Sequence, residues 1–180
     1  MTTFTWDAGD GSSTGDWTTP ANWDQGASYP GADPSRSDTA IFPSGKHKCY
    51  VNAVSTCATV TINGDAADTV LELQAALEVT GDLTITSGIM DLGATQDLTV
   101  GGKTIIGDAS HGSEDQATLT CNASAISLGS GKTDDYAVQM LAGGTFAGGI
   151  ANHTIGSVRQ NVANTKFTFT SATTTINSEY

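Results

Sequence analysis

Five acidic residues in the middle of this 180-residue chain, Glu72, Glu78, Asp82, Asp91 and Asp97, come nearest to a catalytic set by type and spacing. Two carboxylates flanking a glycosidic bond can act as acid and base, or as acid and nucleophile. Glu72 and Glu78 sit between apolar positions of an alternating pattern, so both should point outward, which suits a solvated face as well as a cleft. Outward acids of this kind keep strands soluble, and the chain is read as non-enzymatic. The three histidines, His47, His111 and His153, fall in separate loops or strand starts. Neither a Gly-x-Ser-x-Gly elbow nor a His-Glu-x-x-His pair occurs. The run Gly129-Ser130-Gly131-Lys132-Thr133 imitates the end of a phosphate-binding loop, but the full signature needs glycine where Ile126 stands, and Asp134 and Asp135 follow. It is read as a turn.

Metal chemistry has little more to work with. Asp7, Asp10, Asp16 and Asp24 lie among glycines and could hold Ca²⁺ through oxygen ligands. Asp7-Ala8-Gly9-Asp10-Gly11 does not follow the EF-hand order, and no calcium-binding nonapeptide repeat is present. No cofactor is expected, calcium being the one metal these residues would suit. Cys49, Cys57 and Cys121 include no Cys-x-x-Cys spacing and are expected as three reduced thiols, with a Cys49–Cys57 disulfide as the alternative.

Seven Lys plus Arg against nineteen Asp plus Glu give a formal charge of −12. Neutralising phosphates takes clustered cations, so nucleic acid is not an expected partner. The one basic cluster, Lys46-His47-Lys48, reads as a solvated loop. No apolar run is long enough to suggest a membrane span. Met1-Thr2-Thr3-Phe4 leads directly into patterned sequence without a basic or apolar leader, and reads as a native start lacking an export signal.

The elements that would position these groups are short strands. From Ala58 to Asp108 the chain reads Thr59–Ile62, Val70–Leu73, Leu77–Val79, Leu83–Thr86, Ile89–Leu92, Leu98–Val100 and Thr104–Ile106. The residues alternate with period two, are rich in Val, Ile, Leu and Thr, and are punctuated by glycine. Strands of three or four residues gain stability by stacking layer on layer. Leu83-Thr84-Ile85 and Leu98-Thr99-Val100 recur at a spacing of fifteen, which is read as one turn of a narrow solenoid. The expected fold is all-β: a parallel β-helix or related β-solenoid.

Residues 1–42 differ from the body at 43–180. They hold all three tryptophans and three of the four prolines. An open stack needs its first layer covered, so this segment is expected to be an N-terminal cap or docking segment with Trp6, Trp17, Trp23 and Phe42 as its core. Aromatic sugar binding is the alternative for the same rings, and burial of the indoles would favour the cap. Cys49-Tyr50-Val51 and Val54 are expected to begin the first layer. Loops are expected at 109–115 and 129–135. Strands return at Ala117–Cys121 and Ala125–Leu128, and near Lys166–Thr170 and Thr173–Ile176. The strand-rich C-terminal region leaves an edge. Either a neighbouring subunit covers it or Glu179 discourages pairing, and a homo-oligomer, first a trimer, is the expectation.

The residues Trp6, Gly9, Trp17, Asn22, Trp23, Pro30, Gly31, Asp38, Ala40 and Phe42 together resemble a leader found ahead of β-helical repeats in bacterial autotransporter-like surface proteins. The segment from Leu77 to Gly88 is similar to the repeat unit of those proteins, and of accessory structural proteins of tailed bacteriophages. The resemblance extends from Met1 to the end of the Ala58–Asp108 stretch, and the chain is read as departing from the secreted members in lacking a signal peptide, anchor and translocator. It implies a structural virion protein, a capsid decoration (cement) or spike protein that binds the major capsid or another virion protein and is assembled in the host cytoplasm. A bacterial surface adhesin or glycan-binding module is the second expectation, and a fragment of a glycan depolymerase the third.

Overall fold

Alternation is what sets the strands. In Thr59–Asn63 the side chains of Val60 and Ile62 are buried while the threonines between them are not. Thr69–Leu73 repeats the arrangement with Thr69, Leu71 and Leu73 inward. The computed structural model describes residues 1–7, 14–34, 37–45, 47–64, 68–109, 116–129, 136–160, 165–169 and 173–176. Within them the chain is all-β, apart from one 3-10 turn at Pro20–Asn22.

The strands fall into successive layers. β1 (Thr3–Thr5) and β2 (Thr14–Asp16) come first; then β3 (Thr39–Phe42), β4 (His47–Val51) and β5 (Ser55–Cys57); then β6 (Thr59–Asn63), β7 (Thr69–Leu73) and β8 (Leu77–Val79). The next layers are β9 (Leu83–Asp91) with β10 (Leu98–Val100), and β11 (Thr104–Ile106), β12 (Ala117–Thr120) and β13 (Ile126–Leu128). The last two are β14 (Val138–Met140), β15 (Gly144–Ala147) and β16 (His153–Ile155), then β17 (Val158–Gln160), β18 (Lys166–Thr168) and β19 (Thr174–Ile176).

Every pair of named strands is parallel. One branch of a 13-stranded sheet runs β1-β3-β6-β9-β11-β14-β17, and a second runs β2-β4-β7-β9-β12-β15-β18. A separate six-stranded sheet runs β19-β16-β13-β10-β8-β5. The chain visits these three rows in the same order from layer to layer. This arrangement is compatible with a β-helix or solenoid.

Several expectations change. Leu83 pairs with Thr104, and Leu98 with Leu77; Leu83 and Leu98 are not partners. The spacing of fifteen between them therefore separates two rows of the same layer, not two layers. The motifs look alike because inward-facing positions of any row require the same apolar residues. Second, Leu83–Thr86 and Ile89–Leu92 are not separate strands: β9 runs through both. Gly88, at φ 105°, bends the strand so that its first half pairs with β6 and β11, and its second half with β7 and β12. Val54, expected in the first layer, is an exposed residue between β4 and β5.

One hydrophobic core runs through the stack, from Phe4 and the tryptophans to Ile155. β1 and β3, from the leader, pair directly with one another and β3 with β6, so residues 1–42 share sheet and core with the body.

Candidate functional site

The densest chemistry lies at the N-terminal end. Trp6, Trp17, Trp23, Phe4 and Phe42 are all buried. Trp23 is the hub, with its ring edge-on to Trp6 and Trp17 at 5.1 Å between centroids and to Phe4 at 6.2 Å. Such edge-to-face geometry sets the positive ring edge against a negative ring face. The Trp17 Nε1 donates to the Pro30 carbonyl at 2.9 Å and the Trp23 Nε1 to the Trp17 carbonyl at 2.8 Å. All three indoles are buried, so none presents a face on which a sugar could stack.

Residues 17–34 lie across the first strand edges. The Asp24 amide donates to the Thr5 carbonyl, and Trp6 and Trp23 form an antiparallel bridge along β1. The Asn22 side-chain amide donates to the Asp16 carbonyl on β2 at 3.0 Å. Gly31, at φ 81°, lies against β5 so closely that a Cβ there would sit 2.2 Å from the Thr56 carbonyl oxygen. The buried Asp38 accepts the Gly31 amide through Oδ2, and its backbone carbonyl accepts the Ala58 amide at 2.7 Å. Asn22 and Asp38 were legible as motif positions but not as the polar ties they are. A buried polar residue looks like any loop residue until its partner, far away in sequence, is known.

The five acidic residues are dispersed and mostly engaged. Glu72 forms an ion pair with Lys48 at 2.8 Å, and Lys48 also lies 5.0 Å from the centroid of the Tyr50 ring. The hydrogen bond to Glu72, then that to Tyr50, raises the Lys48 pKa. Being part-exposed, this pair contributes little to stability. Asp91 accepts the Gly93 amide at 2.9 Å and the Asn122 side-chain amide at 2.7 Å. Asp82 accepts the Lys103 amide at 2.8 Å, and Glu78 accepts the Thr56 hydroxyl at 3.4 Å. Asp97 contributes its backbone carbonyl to the Leu77 amide. Only Glu72 and Asp91 are register neighbours on one row. Glu78 belongs to the six-stranded sheet, so the set does not converge.

Among the described residues no group of three or more His, Cys, Asp or Glu is placed to hold a metal. No helix among the described residues is long and apolar enough to cross a membrane. Asp10 of the acidic N-terminal set, Lys46, His111, Gly9 of the leader motif, Glu179, and all but Gly129 of the Gly129–Asp135 loop lie outside the described residues.

The thiols are free and buried. Burial, with Asp38 nearby for Cys57 and Asp91 for Cys121, pushes these two pKa values up to about 12, and burial with Asp16 pushes Cys49 well above its ordinary value. Thiolates carry cysteine reactivity. A disulfide-based thiol reagent at pH 8 is expected to label none of the three in the native protein and all three in denaturant. Rapid native labelling of any one would contradict this placement.

His153 is buried against Phe146 and Phe169, with ring centroids 6.3 and 5.9 Å away. Its Nε2 is hydrogen-bonded to the Gly148 carbonyl and so carries the proton, while Nδ1 is buried with no partner among the described residues. Burial lowers its pKa, opposed by the Gly148 contact. Because the folded state prefers neutral imidazole, this contribution is complete above the unfolded value of about 6.5. It is lost as pH falls from there toward the lowered folded value. Melting temperature should drop over that window, and His153→Gln should flatten the drop. An identical pH profile in the variant would refute the assignment.

The outward positions of the six-stranded sheet form a polar column: Thr56, Glu78, Thr99, Ser127, Thr154 and Thr175. It is a hydrogen-bonding surface with a single charge. No protein-family model matches the chain, and no curated protein or solved structure matches it either.

Proposed function

We propose that the chain is a parallel β-helix closed by a Trp-rich N-terminal cap, and that it serves as a structural, non-enzymatic component of a tailed-phage particle, a capsid decoration or spike protein. The observation that supports the structural reading is the continuous core, with five buried aromatic rings packed together at its N-terminal end and a Thr-rich column on the outer face of the six-stranded sheet. That construction suits a durable surface rod. Four of the five acidic side chains hold turns or neighbouring strands, which is work of a scaffold. The virion assignment draws on the resemblance of the Trp6–Phe42 motif and the Leu77–Gly88 repeat. The partner would be the major capsid protein or another virion protein, whose affinity for the folded state would stabilise both by mass action.

Mass spectrometry of gradient-purified virions of the encoding phage tests the role. Hundreds of copies would support capsid decoration, and a few copies a tail or vertex spike. Absence from the particle would overturn the virion role and favour the surface adhesin.

A further inference from the structure

The two ends of the stack are built differently. Residues 17–34 meet β1, β2 and β5 at the N-terminal end. At the other end β17, β18 and β19 pair only with β14, β15 and β16 among the described residues. Side chains of this last layer are incompletely covered. Val158 and Phe167 are half-buried and Ile176 is 46% exposed, whereas their register partners Val138, Phe146 and Ile155 are buried. Phe167 stacks on Phe146 at 4.4 Å and 10°, so the aromatic column continues up to the open layer.

Charge is also unevenly placed. The segment 136–180 holds Arg159 and Lys166 against Glu179, a formal +1, while the segment 1–135 holds five cations and eighteen carboxylates, a formal −13. Two copies can therefore approach through their C-terminal ends with least repulsion, their acidic bodies pointing apart beyond the ~8 Å screening length of physiological salt. The N-terminal end, already covered, is a poor acceptor for the open strands.

We propose that the β17–β19 layer docks on the same layer of a second copy, tail to tail, about a twofold axis perpendicular to the stack. Such an axis sets one of the three strand edges against its own copy and exchanges the other two. Strands then meet antiparallel across the interface, while Val158, Phe167, Phe169 and Ile176 close over their equivalents. End-on contact joins two bodies, so the assembly proposed here is a dimer, where the sequence alone suggested a trimer first. The inference rests on the β-helical reading and not on the virion role.

Sedimentation of the full chain at micromolar concentration should show a dimer. Ile176→Lys, at an exposed position, should raise its dissociation constant at least about tenfold with an unchanged far-UV circular dichroism spectrum. Spin labels at T175C should then lie close together across the dimer. Labels at T3C should lie about 60 Å apart, since seven layers spaced about 4.8 Å make each stack roughly 30 Å long. A monomer with an intact β spectrum, a dimer indifferent to Ile176→Lys, or short distances at T3C would each overturn the interface while leaving the fold standing. A wild-type spectrum lacking β structure would overturn the β-helical reading beneath it.

Discussion

Trp23→Ala is expected to cost about 3–5 kcal/mol, the range for removing a buried large aromatic. For a chain of this size that lowers the melting temperature by about 10 °C. The reason is its position: Trp23 touches Phe4, Trp6, Trp17 and Phe42, with ring centroids between 5.1 and 6.2 Å. Phe4 lies on β1 and Phe42 on β3, while Trp6 and Trp17 directly follow β1 and β2, so the cavity cannot be filled by movement of one element. The Trp17 carbonyl would also lose the indole donor it now accepts. Trp23→Phe retains much of the ring area and loses that donor, and should fall between wild type and Trp23→Ala. Thermal and urea unfolding of the three proteins checks the order. If Trp23→Ala melts with wild type, the aromatic cluster does not hold the N-terminal end.

Gly102→Ala should cost about 3 kcal/mol, at the upper end of ordinary overpacking, although it adds only one methyl group. A Cβ on Gly102 would sit 2.6 Å from both the carbonyl carbon and oxygen of Gly81, one layer away, and 2.2 Å from the Asp82 carboxylate. The Gly102 amide donates to the Gly81 carbonyl at 2.8 Å, so backbone meets backbone at this corner. The same closeness recurs further along, where a Cβ on Gly156 would lie 2.1 Å from the Gly129 carbonyl oxygen. Relieving either clash means separating two layers, not turning one side chain. Gly26 is the control: its φ is +62° but a Cβ would meet nothing within 4 Å. Gly26→Ala should carry only the backbone strain, about 1 kcal/mol. Equal melting temperatures for the two alanine variants would show that the corner is looser than described.

Strand positions were readable because each row demands apolar residues at alternate positions, and Val60, Ile62, Leu71, Leu73, Leu83 and Ile85 satisfy that locally. Which strand pairs with which was not readable in the same way. Leu83-Thr84-Ile85 and Leu98-Thr99-Val100 have the same inward pattern, so similarity alone could not distinguish a neighbouring row from the next layer. The bend at Gly88 was hidden for a related reason, since Ser87-Gly88 has the composition of a turn whether the chain reverses there or only changes rows. Burial of Trp6, Trp17 and Trp23 was one of two readings of these rings, sugar binding being the other, and their spacing alone did not choose between them. The polar ties of Asn22 and Asp38 depend on partners brought close by the fold and left no local signature. Glu72 and Glu78 were expected to face outward and do lie between buried residues of their strands, but the dispersal of the five carboxylates over different rows follows from the layer pairing, which a repeat of fifteen misassigns.

Successive layers stack in parallel register, with β8 and β10 direct neighbours in one row. Glu78 and Thr99 are exposed register partners on these two strands, whereas Thr84 and Thr99 belong to different sheets. Dibromobimane fluoresces when it bridges two thiols a few ångströms apart, and the buried native cysteines would not compete. The E78C/T99C protein should be bridged within a single chain and T84C/T99C should not. Bridging of T84C/T99C with none in E78C/T99C would contradict the layer register on which the fold rests.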